Sequence, residues 1–170
     1  MKSLQVYQDF GINLDLALEA HELLRGATGQ EITGVREDKE SFPHATVTTV
    51  TIMTPEGAQT MNKPMGTYIT IESPELRIVD PEIQSAISSI VDQKLQKLLP
   101  ISDQSNILLI GLGNWNATPD ALGPKVIEQT VVTRHLFHYA PEALTPGLRS
   151  VCALSPGVLG ITGIETAEII

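Results

Sequence analysis

Residues 107–110, Ile-Leu-Leu-Ile, form a short unbroken apolar run ending at Gly111, the pattern of a strand buried on both faces of a parallel sheet. The glycine turn Gly111-Leu112-Gly113-Asn114 follows it. Thr118 then predicts a helix cap and Pro119 a first helical position, while Leu122, Val126, Ile127, Thr130 and Val131 recur at helical spacing after Gly123-Pro124. The chain passes from buried strand, through an acid-bearing loop, into a helix. Asp120 therefore falls outside the carboxyl end of the strand, where sites of open α/β sheets gather. In the first turn of that helix its carboxylate meets the positive end of the dipole and free amides, which favour the ionised form and suit a base. Simple capping explains the same residue, and peptide hydrolysis by carboxylates commonly needs two acids close enough to share a proton. Only one is well placed here.

Residues 151–154 repeat the buried-strand character, so strand, helix and strand predict a parallel βαβ crossover. Thr162 and Glu165 stand at capping-box spacing and predict a helix running to the end, which accounts for Glu165. The stop at Ile170, apolar and in mid-helix, is expected of a piece of a longer sequence. Towards the amino terminus, Asn13 predicts the cap of a helix with Leu16, Ala17, Ala20, Leu23 and Leu24 on its apolar face. Residues 25–42, rich in glycine, threonine and charge, predict a surface connection. β-branched residues 46–52 and 68–71 predict two strands, with antiparallel pairing open. Asp80-Pro81 starts a helix whose apolar face is Ile83, Ile87, Ile90, Val91, Leu95 and Leu98. Together these predict an α/β fold, three α/β/α layers around a mostly parallel sheet.

Eleven basic against twenty acidic residues, net −9, disfavour direct nucleic-acid binding, because such a charge repels phosphate backbones. No apolar run reaches signal-peptide or membrane-span length, which predicts a soluble cytosolic protein. The single cysteine, Cys152, excludes an internal disulfide and any multi-cysteine metal site, and its apolar neighbours predict a buried structural thiol. His44 reads as a solvated loop residue and His21 has no evident partner. Met53, Met61 and Met65 read as core filler or loop. His135 and His138, after Arg134, are explained by dipole compensation at a helix end, so neither metal nor cofactor is expected. The glycine turn invites a dinucleotide reading, but Asn116 stands where a third small residue is required and Lys125 lacks the rest of a phosphate loop. A nucleotide-binding α/β module and a noncatalytic structural fragment remain the rival readings.

The strings GLGNWNATPDALGP at residues 111–124, VVTRHLF at 131–137, PGVLGITGIET at 156–166 and LDLALEAHE at 14–22 closely resemble the germination protease family of spore-forming bacteria. The turn and acid loop also look like the more distant hydrogenase-maturation endopeptidases. The resemblance implies an endopeptidase of atypical aspartic type that begins the degradation of small acid-soluble spore proteins at germination, in the cytoplasm of forespore and spore core. It implies a self-processing zymogen, a homotetramer and no required metal. Asp120 matches one catalytic aspartate, with Gly111, Gly113 and Asn114 in the active-site loop; the other aspartate belongs to a segment beyond Ile170, so this chain alone is expected to be inactive. Asp15-Leu16-Ala17-Leu18-Glu19 resembles the substrate cleavage sequence, which makes residues 1–15 a propeptide cut between Asp15 and Leu16. Residues 16–170 are then the amino-terminal part of a single peptidase domain.

Overall fold

The computed structural model describes residue 14, residues 16–28 and residues 31–170. Asn13 and Asp15, and with them the predicted cap, lie outside these. The chain divides into two compact units, one ending at Pro100 and the other spanning Ile101–Ile170. Both mix helix and strand, so the α/β class holds.

The first unit is built on strands β1 (Val35–Phe42), β2 (Ala45–Ile52) and β3 (Gly66–Glu72), antiparallel in that order. Phe42 pairs with Ala45 across a two-residue turn, Pro43-His44, with His44 at φ 68°. A turn that short joins only antiparallel neighbours, so the expected mostly parallel sheet is corrected: among the described residues the larger sheet is antiparallel. β2 lies in the middle and is buried on both faces, which its β-branched composition suits. On one face Val50 and Ile52 pack with Val35, Met61 and with Ala17 and Ala20 of helix α1 (Ala17–Thr28). On the other, Ala45 and Val47 pack with Phe42, Ile69, Ile71 and Ile90.

β1 corrects the reading of residues 25–42 as a connection. It is an edge strand, and its charges are placed by alternation rather than left loose in solvent. Glu37 turns towards α1, where Oε2 lies 2.7 Å from Nδ1 of buried His21, outside hydrogen-bond geometry, and 3.7 Å from Arg25. Glu40 turns to the opposite face and receives Lys94. His21 therefore has a carboxylate neighbour that its local sequence does not show. Exposed His44 likewise meets Glu75, 31 residues away in sequence.

Helix α2 (Pro55–Met61) is capped by Thr54 and ends on Asn62 at φ 51°. Of the three methionines, Met61 is in the core while Met53 and Met65 are exposed. Helix α3 (Pro81–Leu98) starts as expected, with Asp80 accepting from Glu82 N at 2.8 Å. Its buried line is narrower than predicted: Ile83, Ile87, Ile90 and Lys94 face inward, whereas Val91, Leu95 and Leu98 are exposed.

The second unit pairs β4 (Asn106–Ile110) with β5 (Ser150–Leu154) in parallel, Ile107 opposite Val151 and Ile110 opposite Leu154. Between them come a 3-10 turn (Thr118–Asp120), α4 (Leu122–Gln129), α5 (Arg134–Tyr139) and a second 3-10 turn (Pro141–Ala143). Thr133 fastens α5 to β5: its amide donates to Val151 O at 3.0 Å, and its hydroxyl accepts from Val151 N at 2.9 Å. After β5 come α6 (Leu159–Thr162) and α7 (Thr166–Ile169).

The capping-box reading fails here. Thr162 ends α6, where its hydroxyl donates to Val158 O at 3.1 Å, and Glu165 makes no side-chain cap, because Gly163 at φ 74° turns the chain between the two helices. β4 is also not buried on both faces, since Leu108 is 57% and Leu109 37% exposed. No helix of the described residues is long and apolar enough to cross a membrane.

Candidate active site

At the carboxyl end of β4 the ladder finishes with Gly111 N donating to Leu154 O at 2.9 Å, and the backbone then folds into a compact loop. Asn114 organises it. Its side-chain Oδ1 accepts from Asn116 N at 2.9 Å, its carbonyl accepts from Ala117 N at 3.1 Å, and Asp120 N closes on Ala117 O at 2.8 Å. The Asn114 amide reaches across to Asp120 twice, to the carbonyl at 3.0 Å and to carboxylate Oδ2 at 2.8 Å. A backbone donor thus fixes one carboxylate oxygen, a charge-assisted contact stronger than a neutral one. Asp120 is exposed and lines an apolar groove of about 390 Å3 with Leu109, Leu112, Leu122, Val126 and Ile127.

The element carrying Asp120 differs from the sequence expectation. Thr118 makes no side-chain cap, and Asp120 lies in the 3-10 turn that precedes α4 rather than in its first turn. Pro119 and Pro124 each lack an amide N–H donor, so the chain makes one tight turn, passes through Ala121 and restarts with Gly123-Pro124 inside the new helix. The Asn114 amide, not the helix dipole, positions the carboxylate.

The glycines of the turn have a packing reason. A Cβ on Gly111 would stand 2.4 Å from Gly123 O and from Ile127 Cγ1; one on Gly123 would stand 2.1 Å from Leu112 O. Gly113, at φ 131°, would place a Cβ 2.0 Å from Asp120 O. Backbone contact between strand end, loop and helix therefore accounts for all three, without a phosphate to cradle.

Trp115, half exposed, was missed in sequence. It lines a second cavity of about 410 Å3 with Gly113, Asn116, Ile127, Glu128 and Ser155. A lone tryptophan inside a glycine loop was the available signal. His135 and His138 do not share a helix end: Arg134 and His135 open α5 and only His138 falls in its last turn, so dipole compensation applies to His138 alone. Among the described residues no three His, Cys, Asp or Glu side chains gather as metal ligands. Cys152 is half-buried rather than buried, with Sγ 3.4 Å from Ile107 O and 3.7 Å from Arg134. Asp15 of the predicted cleavage bond lies outside the described residues. Leu16 is 44% exposed just before α1, and the Leu14 carbonyl accepts from Lys63 Nζ at 2.7 Å.

Comparison with known proteins decides the family. The sequence model of the germination protease family matches residues 15–170. The chain belongs to the germination protease family. It is 48% identical over 159 residues to the germination protease of Clostridium tetani (strain Massachusetts / E88), covering 94% of this chain and 49% of that one. It is 48% identical over 160 residues to that of Caldanaerobacter subterraneus subsp. tengcongensis, covering 94% and 48%. To the Bacillus mycoides (strain KBAB4) germination protease it is 40% identical over 166 residues, covering 95% and 45%. The chain thus spans about half the length of these family members.

Proposed function

We propose that this chain is the amino-terminal part of an endopeptidase that initiates degradation of small acid-soluble spore proteins during germination. The observation that carries the reading is the Asp120 carboxylate: exposed, held through one oxygen by the Asn114 amide, and facing an apolar groove at the rim of a parallel sheet. A carboxylate so held is suited to orient or activate a water against a peptide carbonyl. Hydrolysis of this kind needs a second acid to assist that carbonyl, and it comes from the half of a family-length protein that this chain does not span. The chain alone is then inactive. The longer protein is a zymogen that removes residues 1–15 by cutting between Asp15 and Leu16, works as a homotetramer in the cytoplasm of forespore and spore core, and requires no metal or cofactor. Its complete fold is one three-layer domain in which the parallel pair β4 and β5 belongs to a larger sheet, like that of the hydrogenase-maturation endopeptidases.

The test compares this chain with a family-length version on a purified small acid-soluble spore protein. Only the longer protein is expected to cleave, and mass spectrometry of its matured form is expected to find Leu16 as the new amino terminus. Full activity of the 170-residue chain would show that no second acid is needed from elsewhere, and a different new terminus would reject the processing site.

A further inference from the structure

β4 is a parallel strand with too little around it. Adjacent side chains on a strand point to opposite faces, so Leu108 at 57% and Leu109 at 37% exposure mean that both faces of β4 are open. Parallel sheets occur almost only with both faces covered. Among the described residues β4 pairs with β5 alone, so the peptide groups along its other edge have no strand beside them. The 390 Å3 groove lies at the carboxyl end of β4: Leu109 and Leu112 line it from the strand and its loop, Leu122 and Val126 from α4, and no residue of β5 takes part. Leu112, Leu122 and Val126 are 56%, 78% and 50% exposed, an apolar surface that continues the open face of the strand.

We propose that the free edge of β4 receives a further strand from the other half of a family-length polypeptide, and that this strand seats an apolar side chain among Leu109, Leu112, Leu122 and Val126. Two observations favour this occupant over a second copy of the chain. Relatives carry as much polypeptide again as this chain aligns with, all of which must pack somewhere. Two copies at −9 each repel one another. Asp120 lines the same groove, so a strand lying in it passes beside the carboxylate. That consequence rests on the proposed function; the docking itself does not.

The probe is the part of the Clostridium tetani germination protease outside the aligned half, expressed separately and mixed with the 170-residue chain, with amide hydrogen exchange read at Leu108 and Ile110, whose amides face away from β5 because those of a strand alternate and Gly111 N bonds Leu154 O. A one-to-one complex is expected, with exchange at these amides slowed at least about tenfold, as formation of a strand ladder requires. Leu109→Asp is expected to weaken the complex by about tenfold or more, since a charge enters an apolar seat. Asp120→Asn is expected to associate normally and to abolish only cleavage, which separates docking from chemistry. In case the added polypeptide does not fold by itself, the same exchange is read on the matching strand of the intact Clostridium tetani protein, where slow exchange on both edges is expected. Three results would overturn the proposal: Leu108 and Ile110 amides already protected in the chain alone, protection that appears only on self-association, or fast exchange at the matching strand of the intact protein.

Discussion

At Gly113 the backbone stands at φ 131°, and any side chain would meet the carbonyl of Asp120 at 2.0 Å. Gly147 has a positive φ too, 91°, but nothing within 4 Å of where its Cβ would be. The pair separates conformational cost from collision. Gly147→Ala is expected to lose about 1–2 kcal/mol from the backbone conformation alone. Gly113→Ala is expected to lose more than that, with a loss of cleavage in the family-length protein out of proportion to its stability, because the loop that holds Asp120 has to move. Chemical denaturation and an activity assay on the two variants check both; equal effects would mean that the loop does not position the acid. Asp120 itself was legible in the sequence, since a glycine turn after an apolar strand puts the next acid at the sheet's rim. Its partner was not. A backbone amide such as that of Asn114 leaves no residue-type signature, and only the folded loop reveals it.

At the scale of elements, β2, β4, β5, α1 and α3 form where their hydrophobic patterns place them, although β4 and α3 bury less than those patterns predict, whereas β1 has no such pattern. Its sequence, VREDKESF, holds one buried residue, Val35, followed by five charged residues, of which Glu37 meets α1, Glu40 meets α3, and Arg36 and Asp38 pair with each other. Periodicity cannot see such a strand, because what makes it one is the neighbour it pairs with. One of its contacts makes a pH prediction. Lys94, buried on α3, draws the Glu40 carboxyl below the usual glutamate range through its hydrogen bond and charge, with Lys97 adding to the effect and burial opposing it. A group held lower in the folded state stabilises fully above its ordinary value and loses that contribution as pH falls through the lowered one. Glu40→Gln is therefore expected to leave a shallower fall of stability with acid, seen in urea midpoints across that range; an unchanged acid limb would mean that the contact has no thermodynamic weight. The break between strand and helix at residues 118–121 was misread for a different reason: two prolines and a glycine fit either one long helix start or a 3-10 turn with a restart, and only packing against Gly111 selects the second.

For the molecule as a whole, the antiparallel first unit buries its central strand, while the second pairs two parallel strands of which β4 is open on both faces. Such a pair is the expected appearance of part of a larger sheet, and the chain spans about half of its relatives. The sequence could not announce that openness, because an apolar run reads as buried whether or not its cover is supplied. In the proposed enzyme the Asp120 carboxylate is a reacting group. The direct measurement is cleavage of a small acid-soluble spore protein by the family-length protein and by its Asp120→Asn variant, each shown by circular dichroism to be folded. Loss of a general acid or base predicts a fall in kcat of about 100-fold to 10,000-fold with the fold unchanged. A folded variant that cleaves within a few-fold of the parent would contradict it.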